Sequence, residues 1–148
     1  MTGQNWTIYW NGQAADTYLY GSNILMNRKS DIIFENQLMP PGTIIKRWYS
    51  KTNFQAQHLE PSLPIIDGET LYEITPNIEY PQGGNCIIRL EFFDKYEETA
   101  GFLIVRNEPT RFRCPLKTYS YQMQLMNAGV TMFRFHSVAI REVVEEHE

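Results

Sequence analysis

An all-β sandwich, arranged as a jelly roll, is the fold this chain of 148 residues predicts. Three observations carry that expectation. Apolar and polar residues alternate with period two along most of the chain, the pattern of half-buried strands. About nine such runs recur at roughly 8–15 residue spacing, punctuated by Gly and Pro turns. No stretch shows the 3.6-residue periodicity of a long amphipathic helix.

The elements follow in order. In residues 6–10, Trp6, Ile8 and Trp10 alternate with Thr7 and Tyr9. Residues 18–22 read as a short strand entering a turn, and 31–35 as a strand closed by Asn36. Pro40, Pro41 and Gly42 form a turn, because Pro presets φ and Gly accepts φ > 0. Residues 43–50 are β-branched and then aromatic, a strand composition. Residues 51–70, with Pro61, Pro64, Asp67 and Gly68, read as a long loop, and loops of that length tend to be functional. A strand over 71–80 is expected to break at Pro76. Residues 86–93 and 101–105 read as a hairpin across 94–98, and 111–114 as a short edge segment. The cleanest alternation is Tyr119, Tyr121, Met123 and Leu125 against Ser120, Gln122 and Gln124. In the last strand, 132–140, Phe133 and Phe135 keep one phase while Val138 and Ile140 take the other. That change predicts a bulge near His136 and Ser137.

Residues 1–141 are expected to form a single β-sandwich domain, with 142–148 an acidic, frayed tail. Four of the 17 acidic residues lie in that tail, which leaves 13 against 13 Lys and Arg in the body. A neutral body argues against nucleic acid as a partner, since counterion release needs clustered cations. Aromatic residues make up 14% of the chain, many of which two packed sheets would absorb. The first residues have neither the basic region nor the apolar core of a secretory signal, and no apolar run reaches the length of a membrane span. A cytoplasmic location is expected, with Cys86 and Cys114 as free, packed thiols.

Catalytic constellations are sparse. His58, His136 and His147 form no metal-binding pair, there is no Gly-x-Ser-x-Gly elbow, and Gly83-Gly84 reads as a plain turn rather than a phosphate loop. Asp94, Glu97 and Glu98 cluster on a hairpin tip without the spacing of a calcium loop. No cofactor and no catalytic or metal site is expected. The informative region is 38–63. Trp48 and Tyr49 are neighbours, so in a strand one of them faces away from the core. Lys46, Arg47, Asn53, Gln55 and His58 supply polar groups beside it. Trp48, Tyr49, Asn53, Phe54, Gln55 and His58 are therefore the candidate surface for a glycan or a protein partner.

Several stretches together carry a family resemblance. They are Tyr18-Leu19-Tyr20-Gly21-Ser22, Phe34-Glu35-Asn36, Leu38-Met39-Pro40-Pro41-Gly42-Thr43, Trp48 with Ser50, Asn53-Phe54-Gln55, Leu63-Pro64 and Leu90-Glu91-Phe92-Phe93-Asp94. Later come Leu125-Met126-Asn127-Ala128-Gly129, Phe133-Arg134-Phe135 and Ile140-Arg141-Glu142. The chain resembles the third accessory secretory protein of the accessory Sec system of Gram-positive bacteria, over about residues 6–142. That resemblance implies a non-catalytic subunit, an adaptor or chaperone, with a fold like that of a carbohydrate-binding module. Its implied partners are the first and second accessory secretory proteins, the accessory SecA motor and a glycosylated serine-rich repeat client, with the membrane met only through the translocase. A stand-alone carbohydrate-binding module is the alternative. Phe54 stands where the family suggests Tyr, and the tail after Glu142 has no clear counterpart.

Overall fold

The structure, a computed structural model, describes residues 4–10, 17–50 and 63–144. Ten strands, and no helix among the described residues, make two antiparallel sheets. They are β1 (Asn5–Ile8), β2 (Asn23–Arg28), β3 (Asp31–Glu35), β4 (Ile44–Tyr49), β5 (Leu71–Glu79), β6 (Cys86–Phe93), β7 (Thr99–Val105), β8 (Thr110–Arg113), β9 (Ser120–Asn127) and β10 (Met132–Glu142). The larger sheet runs β2-β3-β10-β5-β8, with β1 also paired to β10. The smaller runs β4-β9-β6-β7. The chain is an all-β sandwich, as its alternation predicts.

β10 is the spine of the larger sheet. Its first half pairs with β3, its second half with β1, and most of its length with β5 on the other side. The register slips between Phe135 and Ser137, so His136 is the extra residue of a bulge. Phe133, Phe135, Val138 and Ile140 thereby all reach the core despite their change of phase.

Two aromatic clusters tie the sheets together. In the first, Trp10 sits among Phe34, Phe133 and Phe135 of the larger sheet and Trp48 of the smaller, with ring centres 5.4 to 6.2 Å away. In the second, Tyr72 and Phe112 of the larger sheet stack at 5.8 Å, and Phe92, 6.0 Å from Phe112, leads to Tyr121 of the smaller. Most of the aromatic richness is therefore structural.

The crossing from one sheet to the other, between β3 and β4, is held by two buried asparagines. Asn36, at the end of β3, donates to the carbonyl of Tyr20 (2.8 Å) and to Ser22 Oγ (3.0 Å), and accepts from the amides of Leu38 (2.8 Å) and Met39 (3.0 Å). Asn127, at the end of β9, donates to the carbonyls of Met39 (3.3 Å) and Pro40 (3.1 Å), and accepts from the amides of Gly129 (2.9 Å) and Val130 (2.8 Å). Each side-chain amide uses all its hydrogen-bonding capacity, half on the segment Leu38 to Pro40 and half on a neighbouring turn, Tyr20 to Ser22 for Asn36 and Gly129 to Val130 for Asn127. The Asn36, Pro-Pro-Gly and Asn-Ala-Gly stretches are thus one inter-sheet clamp.

Several local expectations need correction. Residues 18–22 are a turn, not a strand: the Ser22 amide donates to the Leu19 carbonyl and Gly21 takes φ of 75°. The strand lies just beyond it, as β2. β5 runs through Pro76 without a break, because β8 ends opposite Ile74 and leaves that stretch paired only with β10. Tyr119 precedes β9 and is exposed rather than part of its inner face. β10 extends through Glu142, and the Val143 amide still donates to the Leu71 carbonyl (2.9 Å), so order reaches past residue 141. Residues 145–148 of the expected tail lie outside the described residues.

Candidate functional site

Alternation in the smaller sheet turns Trp48, Tyr121, Met123, Leu125, Ile88, Leu90 and Phe92 into the core. Their neighbours face outward and the register sets them in rows. One row reads Tyr49, Gln122, Glu91, Phe102 across β4, β9, β6 and β7. The next reads Arg47, Gln124, Arg89, Ile104.

This outer face is polar at its centre with aromatic rings at its margins. Gln122 Nε2 donates to Glu91 Oε1 (3.1 Å), and Thr99 Oγ1 donates to Glu91 Oε2 (3.1 Å). The Arg89 guanidinium lies 5.3 Å from the ring centre of the largely exposed Phe102. Gln124 is only 4% exposed although it points away from the core. Among the described residues its Oε1 has no hydrogen-bond partner, and neither does the buried Nε of its cross-strand neighbour Arg47. An acceptor and a donor are thus desolvated on neighbouring strands, an arrangement costing roughly 1–3 kcal/mol per group left without a partner.

The structure splits the candidate surface read from the sequence. Tyr49 lies on the outer face. Trp48 does not: it is fully buried, stacked on Phe135 at 5.5 Å, with Nε1 donating to the Tyr9 carbonyl (2.8 Å). Lys46 also turns inward, because the β4–β9 register shifts between Ile44 and Lys46. Its Nζ donates to Thr17 Oγ1 (2.8 Å) and lies 5.0 Å from the Trp10 ring centre, a buried cation–π contact. Asn53, Phe54, Gln55 and His58 lie outside the described residues. The residues missing from the sequence reading are Gln122, Gln124, Arg89, Glu91 and Phe102. Alternation places Gln122, Gln124, Arg89 and Glu91 on an outer phase, the uniformly apolar β7 gives no such sign for Phe102, and only the register joins them.

Other polar groups are engaged elsewhere. On the outer face of the larger sheet Glu73 accepts from Arg141 (3.0 Å) and Arg111 (3.2 Å), and these bonds hold its carboxyl below the usual range. Arg134 makes two bonds to Asp31, 2.6 and 3.1 Å, lowering that carboxyl likewise. Both His136 nitrogens are bonded, Nε2 to Glu79 Oε2 (2.6 Å) and Nδ1 to the Ser30 carbonyl (2.7 Å), and the Glu79 bond raises the imidazole above its ordinary value. Burial pushes the Cys86 thiol up to about 12 and raises Cys114 as well. Asp94 caps its own turn, accepting from the amides of Tyr96 (2.8 Å) and Glu98 (3.1 Å). Among the described residues no group of three His, Cys, Asp or Glu side chains is placed to hold a metal ion, and no helix is long and apolar enough to cross a membrane.

The model of the family of third accessory secretory proteins of the accessory Sec secretory system matches residues 17–142. The chain belongs to that family. It is 35% identical over 130 residues to the third accessory secretory protein of the accessory Sec system of Streptococcus gordonii, covering 88% of this chain and 82% of that one. Among solved structures, a chain of accessory secretory protein 1, 2 and 3 from Streptococcus pneumoniae is 26% identical, with a TM-score of 0.86 over 93% of this chain and 96% of that one. A chain of the Glycosylation Associate Protein (Gap123) complex from Streptococcus agalactiae is 29% identical, TM-score 0.86, over 98% of this chain; this chain spans about half (49%) of that one. The family shares its fold with a xylan-binding domain of Paenibacillus barcinonensis, at a TM-score of 0.52 and 10% identity over 98% of each chain.

Proposed function

We propose that this chain is a non-catalytic subunit of an accessory Sec export complex. In this reading it is a cytoplasmic adaptor that binds the first and second accessory secretory proteins, acts with the accessory SecA motor, and helps hand on a glycosylated serine-rich client. One observation carries the reading: a family relative that superimposes over nearly its full length was solved together with accessory secretory proteins 1 and 2. The chemistry agrees, since Glu73, Asp31 and Glu79 of the larger sheet are engaged with Arg141, Arg134 and His136 and both thiols are buried. Co-expression with the two partner proteins tests it. The expected result is a single co-eluting species on size exclusion, and elution of this chain alone sinks the proposal.

The outer face of the smaller sheet favours a second role beside the first, contact with the client's sugars. The Arg89 guanidinium and the Gln122 amide can hydrogen-bond pyranose hydroxyls, while Phe102 offers its ring to the sugar face. Tyr49 lies on this face; Asn53, Phe54, Gln55 and His58, which follow it in sequence and lie outside the described residues, stay part of the proposal. Titration with N-acetylhexosamine peptides at millimolar concentration should shift the Gln122 side-chain amide resonances, and Phe102→Ala should remove the shift. No response from the wild type refutes the sugar role and leaves the adaptor role standing.

A further inference from the structure

Of the strands that end the two sheets, β2 carries the most exposed apolar side chains among the described residues, Leu25 and Met26, against Phe102 alone on the longer, uncharged β7. β2 pairs with β3 on one side and with no strand on the other among the described residues. Exposed edges are ordinarily shortened, charged or covered, because their free amides and carbonyls recruit other strands. β8, at the opposite end of the same sheet, is four residues long and carries Arg111 and Arg113. β2 has six residues, Ile24, Leu25 and Met26 at its centre, and a single charge, Arg28, at its end.

Exposed apolar side chains gather here. Leu25 is 56% and Met26 52% exposed, and the adjoining turns add Tyr20 at 75% and Leu38 at 69%. Leu25 pairs with Ile33 and Met26 with Ile32, so they project to opposite faces of the sheet, and both faces of the edge are apolar. The two turns are not loose: the Asn36 side chain bonds Tyr20, Ser22, Leu38 and Met39 together, and a Cβ on Gly21 would stand 3.1 Å from Leu38 Cδ1. Rigid presentation of apolar groups lowers the ordering cost of association.

We infer that the β2 edge, with Tyr20 and Leu38, is the docking surface for one of the other accessory secretory proteins, which adds an extended segment bearing apolar side chains on both faces of the sheet. The inference rests on the adaptor reading above. A protein partner fits better than a glycan, because free backbone groups flanked by aliphatic side chains match a strand and offer no charged or amide side chain at the centre to a sugar. A different protein fits better than a second copy, because a family relative was solved together with accessory secretory proteins 1 and 2.

The test compares wild type, Leu25→Asp/Met26→Asp and, on the exposed turn between β6 and β7, Tyr96→Asp, each mixed with the co-purified partner proteins and measured by calorimetry. The β2 variant should bind about 30-fold or more weakly, as loss of an interface hot spot does, while Tyr96→Asp stays within about threefold. Hydrogen exchange adds a readout that needs no variant: amides of residues 23–28 should gain protection in the wild-type complex. Wild-type binding with an unaffected β2 variant, or with unprotected 23–28 amides, overturns the surface but not the adaptor reading. A wild type that binds neither partner overturns both. A wild type that dimerises alone, and becomes monomeric in the β2 variant with partner affinity intact, replaces the partner with a second copy and overturns the inference.

Discussion

Asn127→Ala should be among the most damaging polar substitutions in the chain. The side chain is 4% exposed and makes four hydrogen bonds. Truncation leaves the Val130 amide and the Met39 carbonyl buried without partners, while Gly129 and Pro40 sit nearer solvent and can turn to water. At about 1–3 kcal/mol for each stranded group, the loss is roughly 2–5 kcal/mol, a large share of the ~5–15 kcal/mol that holds a typical domain folded. Urea unfolding followed by fluorescence reads this directly. With a slope of about 1–3 kcal/mol per molar, the midpoint should fall by roughly 1–3 M. Because Asn36 grips the amide of the same Met39 whose carbonyl Asn127 holds, the two losses should not add, and a double-mutant cycle should show coupling of about 0.5 kcal/mol or more. A variant within about 0.5 kcal/mol of wild type, or a strictly additive cycle, would refute the clamp.

Trp48→Ala should cost about 3–5 kcal/mol, as emptying a packed aromatic site does, and calorimetric melting will show it; a surface tryptophan would lose under about 0.5 kcal/mol. Cys86 and Cys114 should resist Ellman's reagent in the native protein and react only after unfolding, with fast labelling at about pH 8 contradicting their burial. His136 has a folded pKa above its ordinary value, so its ion pair with Glu79 stabilises fully below about pH 6.5 and fades as pH climbs through the raised value. The stability gap between wild type and His136→Gln should therefore shrink from about pH 5.5 to about pH 9, and a constant gap would count against the pairing.

Strand phase was legible wherever one face is buried. The Gln122/Gln124 face and the bulge at His136 both follow from alternation, the second because Phe135 and Val138 can share a core only if one residue is skipped. β2 was illegible for the same reason in reverse: only Ile24 packs against the core, so the exposed Leu25 and Met26 sit side by side without a pattern. The adjacency of Trp48 and Tyr49 showed that one must leave the core, but which one depends on the slip at Ile45, a property of pairing rather than composition. The outer rows needed four strands in register, and strands distant in sequence do not announce their partners. The family motifs were visible as strings; their common physical task, gripping Met39 and Pro40 from both sheets, needed coordinates.

The place of β10 in the pairing order bears on how the chain is made. The smaller sheet has all four strands once residue 127 exists. The larger sheet, at that moment, is three separate fragments, β1 alone, β2 with β3, and β5 with β8, since only β10 joins them. On a ribosome adding ~5–20 residues each second, Phe34, Ile74 and Ile8 stay without their neighbouring strand until residues 132–142 emerge. The nascent chain thus passes through an interval with one sheet assembled and its apolar lid in pieces, a vulnerable interval that closes all at once when the final strand zips in.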